Sequence, residues 1–291
     1  MERSAYFRPA AATRYQGGPR GGRAVNLILP APSSLRRRWL GIAFAALLST
    51  SCPATAARIA IIIDDIGYHL GTGLRAARFP AQLTLAVLPH SPNGASLAQE
   101  GHSHGKEIML HAPMSSLQDL PLDTGALTDQ MDRSTFTATL AANLAAVPYI
   151  SGVNNHMGSR LTQATEPMDW LMLTLKQRRL YFVDSRTSAA SRAFDIARDH
   201  RLPSLQRDVF LDNQRDITYI SAQFARLITI AKANGQALAI GHPYTETLDV
   251  LARELVSLQQ HGVELVPVSA LLAPPRPTRN EAPVIKIRHY R

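Results

Sequence analysis

From residue 58 onward the chain repeats one pattern. A short run of consecutive apolar, largely β-branched residues is followed by one or two polar residues, then by a stretch with apolar positions three and four apart. The apolar runs fall at 59–63, 83–88, 107–110, 150–153, 180–183, 237–240 and 263–268, with a less regular one across 205–211. Consecutive rather than alternating apolar positions mark parallel strands covered on both faces. The intervening stretches 134–146, 166–178, 216–234 and 246–260 carry the helical period. Ser134, Glu166 and Thr245 lie near helix starts, and Gly235 and Gly262 just past helix ends. Seven or eight β-α units predict a parallel α/β fold, either a barrel or an open doubly wound sheet. After the first run, Ile63 leads into Asp64-Asp65-Ile66-Gly67 and not into a glycine-rich dinucleotide turn, which favours the barrel.

Charge changes the picture only once it is divided along the chain. The net +9 comes from the ends: residues 1–56 hold eight Arg and one Glu, and residues 273–291 hold five basic residues and one Glu. The body between has 18 basic and 20 acidic residues. Phosphate neutralisation needs Lys and Arg massed on one surface, so this distribution argues against a nucleic-acid-binding body. Arg36-Arg37-Arg38, the apolar stretch Trp39 to Leu48 and Ala54-Thr55-Ala56 form the charged, apolar and small-residue regions of a secretory signal, predicted over 35–57. The apolar stretch is about half of the ~20 residues that span a bilayer, so no stable membrane span is expected. The mature protein is then periplasmic or secreted. Residues 1–34 read as a mis-annotated or disordered extension, 58–272 as the barrel, and 273–291, with four prolines, as a basic disordered tail. The single cysteine, Cys52, excludes an internal disulfide. It sits one position too far from Leu48 for a lipoprotein cleavage box, so lipid anchoring is the weaker reading.

Catalytic residues of a parallel barrel gather at the carboxyl ends of its strands. Here those ends carry Asp64-Asp65, His111, Asn154-Asn155-His156, Asp184-Ser185 and Gly241-His242. Taken singly, each has an ordinary structural explanation: the aspartates as helix caps, a histidine as a core or loop residue, Asp184 as an ion-pair partner of Arg186. Together they form a set with recognisable chemistry. Two clustered carboxylates resist joint ionisation unless a cation holds them, so one binds metal while the other takes a proton. Asp65, His111 and His156 offer one oxygen and two nitrogens, the donor set of a catalytic zinc-type site with a position left for water. His242 suits a proton donor to a leaving group, and Asp184 a residue that orients a catalytic partner. Asn155, Arg160 and Arg186 are candidates for holding an anionic or polyol substrate. No Gly-x-Ser-x-Gly elbow is present, which discounts a serine nucleophile.

The strings IAIIIDDIG, GKEIMLHAPM, GVNNHMGSRLT, LYFVDSRTS, RDVFLDN and ALAIGHPYTETL, in this order, closely resemble the divergent polysaccharide deacetylase family of bacterial envelopes. That family is similar to NodB-type carbohydrate esterases, which have a distorted (β/α) barrel and remove acetyl groups from N-acetylated sugars with a divalent metal. The resemblance implies that Asp64 is the general base and Asp65 a metal ligand. It implies likewise that His111 is the first histidine of the second motif, that Asp184 positions a partner, and that His242 protonates the departing amine. The NodB pattern has another histidine four residues after His111, where this chain has Ser115. His156 is expected to supply that nitrogen from the neighbouring strand. The expected partner is a polysaccharide or peptidoglycan-like glycan, and the expected cofactor a divalent ion of the zinc type. The alternative to a hydrolase is a glycan- or partner-binding module on the same barrel, which the missing histidine favours.

Overall fold

A computed structural model describes residues 56–273 of the chain. The predicted extension and signal segment, except their last residues, and the predicted basic tail beyond Ala273 lie outside the described residues. The elements run β1 (Ala57–Ile66), α1 (Leu70–Ala77), β2 (Thr84–Val87), α2 (Gly94–Ser103), β3 (Glu107–Met114), α3 (Arg133–Ala146) and β4 (Ile150–Met157). They continue α4 (Thr165–Gln177), β5 (Tyr181–Asp184), α5 (Ala193–Asp199), β6 (Ser204–Gln206), β7 (Val209–Phe210), α6 (Ile217–Asn234), β8 (Gln236–Gly241), α7 (Thr245–Glu254), β9 (Val263–Leu265) and α8 (Val268–Leu272). No described helix is long and apolar enough to cross a membrane.

The strands pair in the order β6-β5-β4-β3-β2-β1-β8-β7, all parallel, and β9 joins the start of β1. The two edge strands, β6 and β7, are consecutive in the chain and separated only by Arg207 and Asp208. The covalent chain therefore bridges the seam that hydrogen bonds leave open, and the result is the distorted (β/α) barrel expected.

Strand pleating splits the core into two layers. Ala60, Ile62, Ala86, Met109, Val183, Leu238 and Ile240 pack inside the barrel. Ile59, Ile61, Ile63, Leu110, Val153 and Phe182 pack outward under the helices. Each fully buried isoleucine contributes on the order of 2 kcal/mol of apolar transfer, which explains why both faces of β1 are apolar. Tyr181 enters the interior because its neighbour on β4 is Gly152, where a Cβ would lie 2.3 Å from the Tyr181 ring.

Helices start and stop where local chemistry directs. The Asp132 and Asp216 side chains accept the backbone N–H groups of Thr135 and Tyr219, capping α3 and α6. Gly235, at φ +80°, ends α6 in a left-handed conformation that costs glycine nothing. The strand expected over 263–268 stops at Leu265, because Pro267 cannot donate to the ladder and Val268 already opens α8. The irregular run 205–211 resolves into β6 and β7. Helices α1, α2 and α5 are short and escape the periodicity reading.

Candidate metal centre and active site

The site forms where β1, β3, β4 and β8 end. Pleat parity carries interior positions upward: Ile62 is followed two residues later by Asp64, Met109 by His111, Asn154 by His156, and Ile240 by His242. Asp65 breaks this parity. Between Ile63 and Ile66, β1 has one residue more than the facing stretch of β2, and Asp65 adopts φ 56°. The bulge and the left-handed backbone turn a second carboxylate toward the centre, at a strain cost of order 1–3 kcal/mol.

Three donor atoms converge there. His111 Nε2 and His156 Nδ1 lie 3.1 Å apart, and Asp65 Oδ1 is 3.2 Å from the first and 3.0 Å from the second. A transition ion about 2.0–2.2 Å from each ligand spaces its ligands by about 3.0–3.5 Å, so the three atoms have the separation of a shared coordination sphere. Asp65 Oδ1 is buried and accepts no well-formed hydrogen bond from the described residues, despite both nitrogens beside it. The nitrogens approach it as fellow ligands approach one another.

The surrounding residues set the tautomers. Asn154, fully buried, donates its amide N–H to Asp64 Oδ1 at 2.8 Å and accepts from His111 Nδ1 at 2.8 Å. The His111 proton therefore sits on Nδ1, and the Nε2 lone pair faces the centre. Asp123, on the β3–α3 loop, meets His156 Nε2 at 3.2 Å and accepts the Tyr68 hydroxyl at 2.6 Å on its other oxygen. A carboxylate beside Nε2 favours the tautomer with the proton there, which leaves the Nδ1 lone pair for the centre. Outer partners of this kind orient and strengthen metal-binding imidazoles. The residues present thus fit a divalent ion of the zinc type.

Charge at the site follows from the same contacts. Burial pushes Asp65 up, but the His111 and His156 imidazoles outweigh it and hold its carboxyl well below the usual range. Burial dominates at Asp64, 3.6 Å from His111 Nε2, and raises its pKa although the His111 and His242 imidazoles beside it act in the opposite direction. His242 Nε2 lies 3.6 Å from Asp65 Oδ2, while its Nδ1 donates to Asp212 Oδ1 at 2.9 Å. Burial opposes a charged His242, yet the Asp212 carboxylate, with Asp65 and Asp64, pushes its pKa up to about 9.

Of the residues expected from the sequence, Asp64, Asp65, His111, His156 and His242 are brought together. Asp184 is not. Its neighbours Tyr181 and Val183 face the interior, so Asp184 turns outward, accepting Ser191 Oγ at 2.7 Å and the Arg186 N–H at 2.8 Å. Asp212, within the RDVFLDN string, holds His242, a positioning role of the kind expected of Asp184. Ser115 bonds Asp129 and lies outside the cluster. Two adjoining cavities form a cleft over the centre; Arg160, engaged with the Ser116 carbonyl and Asp119, lines neither. Asn155 borders the cleft, but both ends of its amide hold backbone, at Ser185 N and Met157 O. Arg186 lines the cleft. The sequence reading missed Asn154, Asp123 and Asp212. Interior parity with His156 signals Asn154; the other two lie on a two-residue strand's exit and a long loop.

A family model described as divergent polysaccharide deacetylase matches residues 61–272. The uncharacterized protein YibQ of Escherichia coli is 36% identical over 247 residues, 83% of this chain and 77% of its own length. An uncharacterized protein of Haemophilus influenzae is 33% identical over 241 residues, 81% of this chain and 86% of its own. The crystal structure of an uncharacterized protein of Agrobacterium tumefaciens superposes with a TM-score of 0.72 at 25% identity, covering 75% of this chain and 90% of that one.

Proposed function

The chain belongs to the divergent polysaccharide deacetylase family, and from that premise we propose that it is a metal-dependent hydrolase removing acetyl groups from an N- or O-acetylated envelope glycan. The observation that carries this reading is the convergence of three potential metal-ligand atoms, on Asp65, His111 and His156, beside a buried carboxylate and a clamped histidine.

A bound zinc-type ion supplies Lewis acidity toward the acetyl carbonyl and lowers the pKa of water. Asp64 takes the proton of the attacking water. Its raised pKa brings it closer to working pH, and the Asn154 amide holds its orientation. His242 returns a proton from Nε2 to the departing nitrogen or oxygen. Asp212 keeps Nδ1 occupied and the imidazole charged, so that Nε2 carries the proton to give.

The specific feature favouring the second reading, a glycan- or partner-binding module on the same barrel, is Ser115 in place of the motif histidine. His156 weighs against it, because its nitrogen fills the ligand set from β4. Acetate release by the metal-loaded full chain from a panel of acetylated glycans and small acetyl esters tests the reading. Asp64→Asn is expected to lower the rate at least about a hundredfold, as loss of a general base does. A wild type and variant equally inert on the whole panel, while still binding glycan, would establish the binding module.

The reading includes export to the periplasm or beyond, with processing near Ala57, on the strength of the triple arginine, apolar stretch and Ala-Thr-Ala site. Intact mass of protein recovered from the envelope tests this. An unprocessed Met1 terminus in the cytoplasmic fraction contradicts it.

A further inference from the structure

The cleft over the centre has two lobes of different chemistry, which share His156 and His242. The larger, about 560 Å³, is walled by Tyr68, Tyr244, Leu88 and Pro243, and its arginine, Arg215, is paired with Glu246 at 3.3 Å. Tyrosine rings and a neutralised cation suit the face of an uncharged sugar. The smaller, about 400 Å³, is bordered by Arg186, Arg207, Phe210 and Asn213, with Asp64 its single carboxylate.

Neither Arg186 nor Arg207 forms an ion pair among the described residues, although both are partly buried. Arg207 is held rigidly. Its Nε donates to the Ser185 carbonyl at 2.7 Å, its Nη2 to the Arg186 carbonyl at 3.0 Å, and its guanidinium lies 5.0 Å from the centre of the Phe210 ring. Burial draws its pKa below the usual arginine value. Two partly buried guanidinium groups without a direct ion-pair partner, facing a lobe whose one carboxylate is Asp64, favour a ligand that brings an anion of its own.

We propose that the smaller lobe is a carboxylate subsite, and that the glycan is acidic, with a carboxylate on the acetylated sugar or its neighbour. The identity of the glycan as a substrate rests on the hydrolase reading above; the charge preference of the lobe does not. A uronate and a lactyl ether of an amino sugar both present this chemistry.

The test measures binding by calorimetry to the zinc-loaded full chain carrying Asp64→Asn, which is expected to slow turnover at least about a hundredfold. The probes are three tetrasaccharides: N-acetylglucosamine alone, N-acetylglucosamine alternating with glucuronate, and N-acetylglucosamine alternating with N-acetylmuramate. At least one acidic probe is expected to bind about tenfold or more tighter than the neutral one, with a preference that shrinks as salt rises. The better acidic probe identifies the source of the carboxylate. Arg186→Gln, which breaks no side-chain hydrogen bond within the described protein, should reduce the preference several-fold. Adding Arg207→Gln should abolish it. Equal affinity for all three, no measurable binding of any, or a preference that survives both substitutions overturns the proposal. Wild-type acetate release is measured on the same probes. Equal release from all three keeps the hydrolase and removes the acidic subsite; an acidic binding preference without release from any keeps the subsite and removes the hydrolase.

Discussion

Asp212 accepts both the backbone N–H of His242, at 2.6 Å, and its Nδ1–H, at 2.9 Å. The same carboxylate takes the Thr247 hydroxyl at 2.7 Å, so the imidazole is fixed in position and tautomer. A group whose pKa is raised stays protonated to higher pH, so an acid role for His242 operates below about 9 and is lost above it. Asp212→Asn is expected to lower kcat by about a hundredfold or more and to move the basic limb of the pH–rate profile downward. A fall in rate with an unmoved basic limb would reduce Asp212 to a structural role.

Asp123 holds His156 from a loop, and the Tyr68 hydroxyl in turn holds Asp123. Removing this outer partner frees the His156 tautomer without touching a ligand. Asp123→Ala is expected to weaken metal binding by about 10–100-fold, measured by competition with a chromophoric chelator. Unchanged affinity would mean that the loop contact does not set the ligand.

Asp184 has the opposite expectation. Fully buried and holding Ser191 and the Arg186 amide, it ties the β5–α5 loop together. Asp184→Ala should cost about 1–3 kcal/mol of unfolding free energy in denaturant titration, with a much smaller effect on kcat at saturating metal. A hundredfold loss of kcat at undiminished stability would return Asp184 to the catalytic set.

Physical differences between these residues explain what was legible in the sequence. Asp64, His111, His156 and His242 each follow an apolar run, in pleat register with an interior side chain, so strand position and chemistry point the same way. Asp65 has the wrong parity and reaches the centre only through a bulge, whose signal is its adjacency to Asp64. Asp184 ends a strand as the others do, but one residue out of register; counting from Tyr181 and Val183 separates it. Asp212 follows a strand of two residues in the one irregular run, and Asp123 lies on a loop whose path no periodicity encodes. The same limit applies to strand ends. Apolar patterning stops at the first polar residue, whereas β1, β3 and β4 continue through theirs because the barrel mouth is lined by the site.

Metal content after dialysis tests the account at its centre. The wild type is expected to retain about one transition-metal ion per chain, as two imidazoles and a carboxylate dictate. His111→Ala and His156→Ala should lose it, while Asp64→Asn, whose carboxylate is assigned as base and not as ligand, should largely keep it. A His156→Ala protein that holds its ion as fully as the wild type would contradict the assignment of His156 to the centre, and with it the metal site that supports the proposed chemistry.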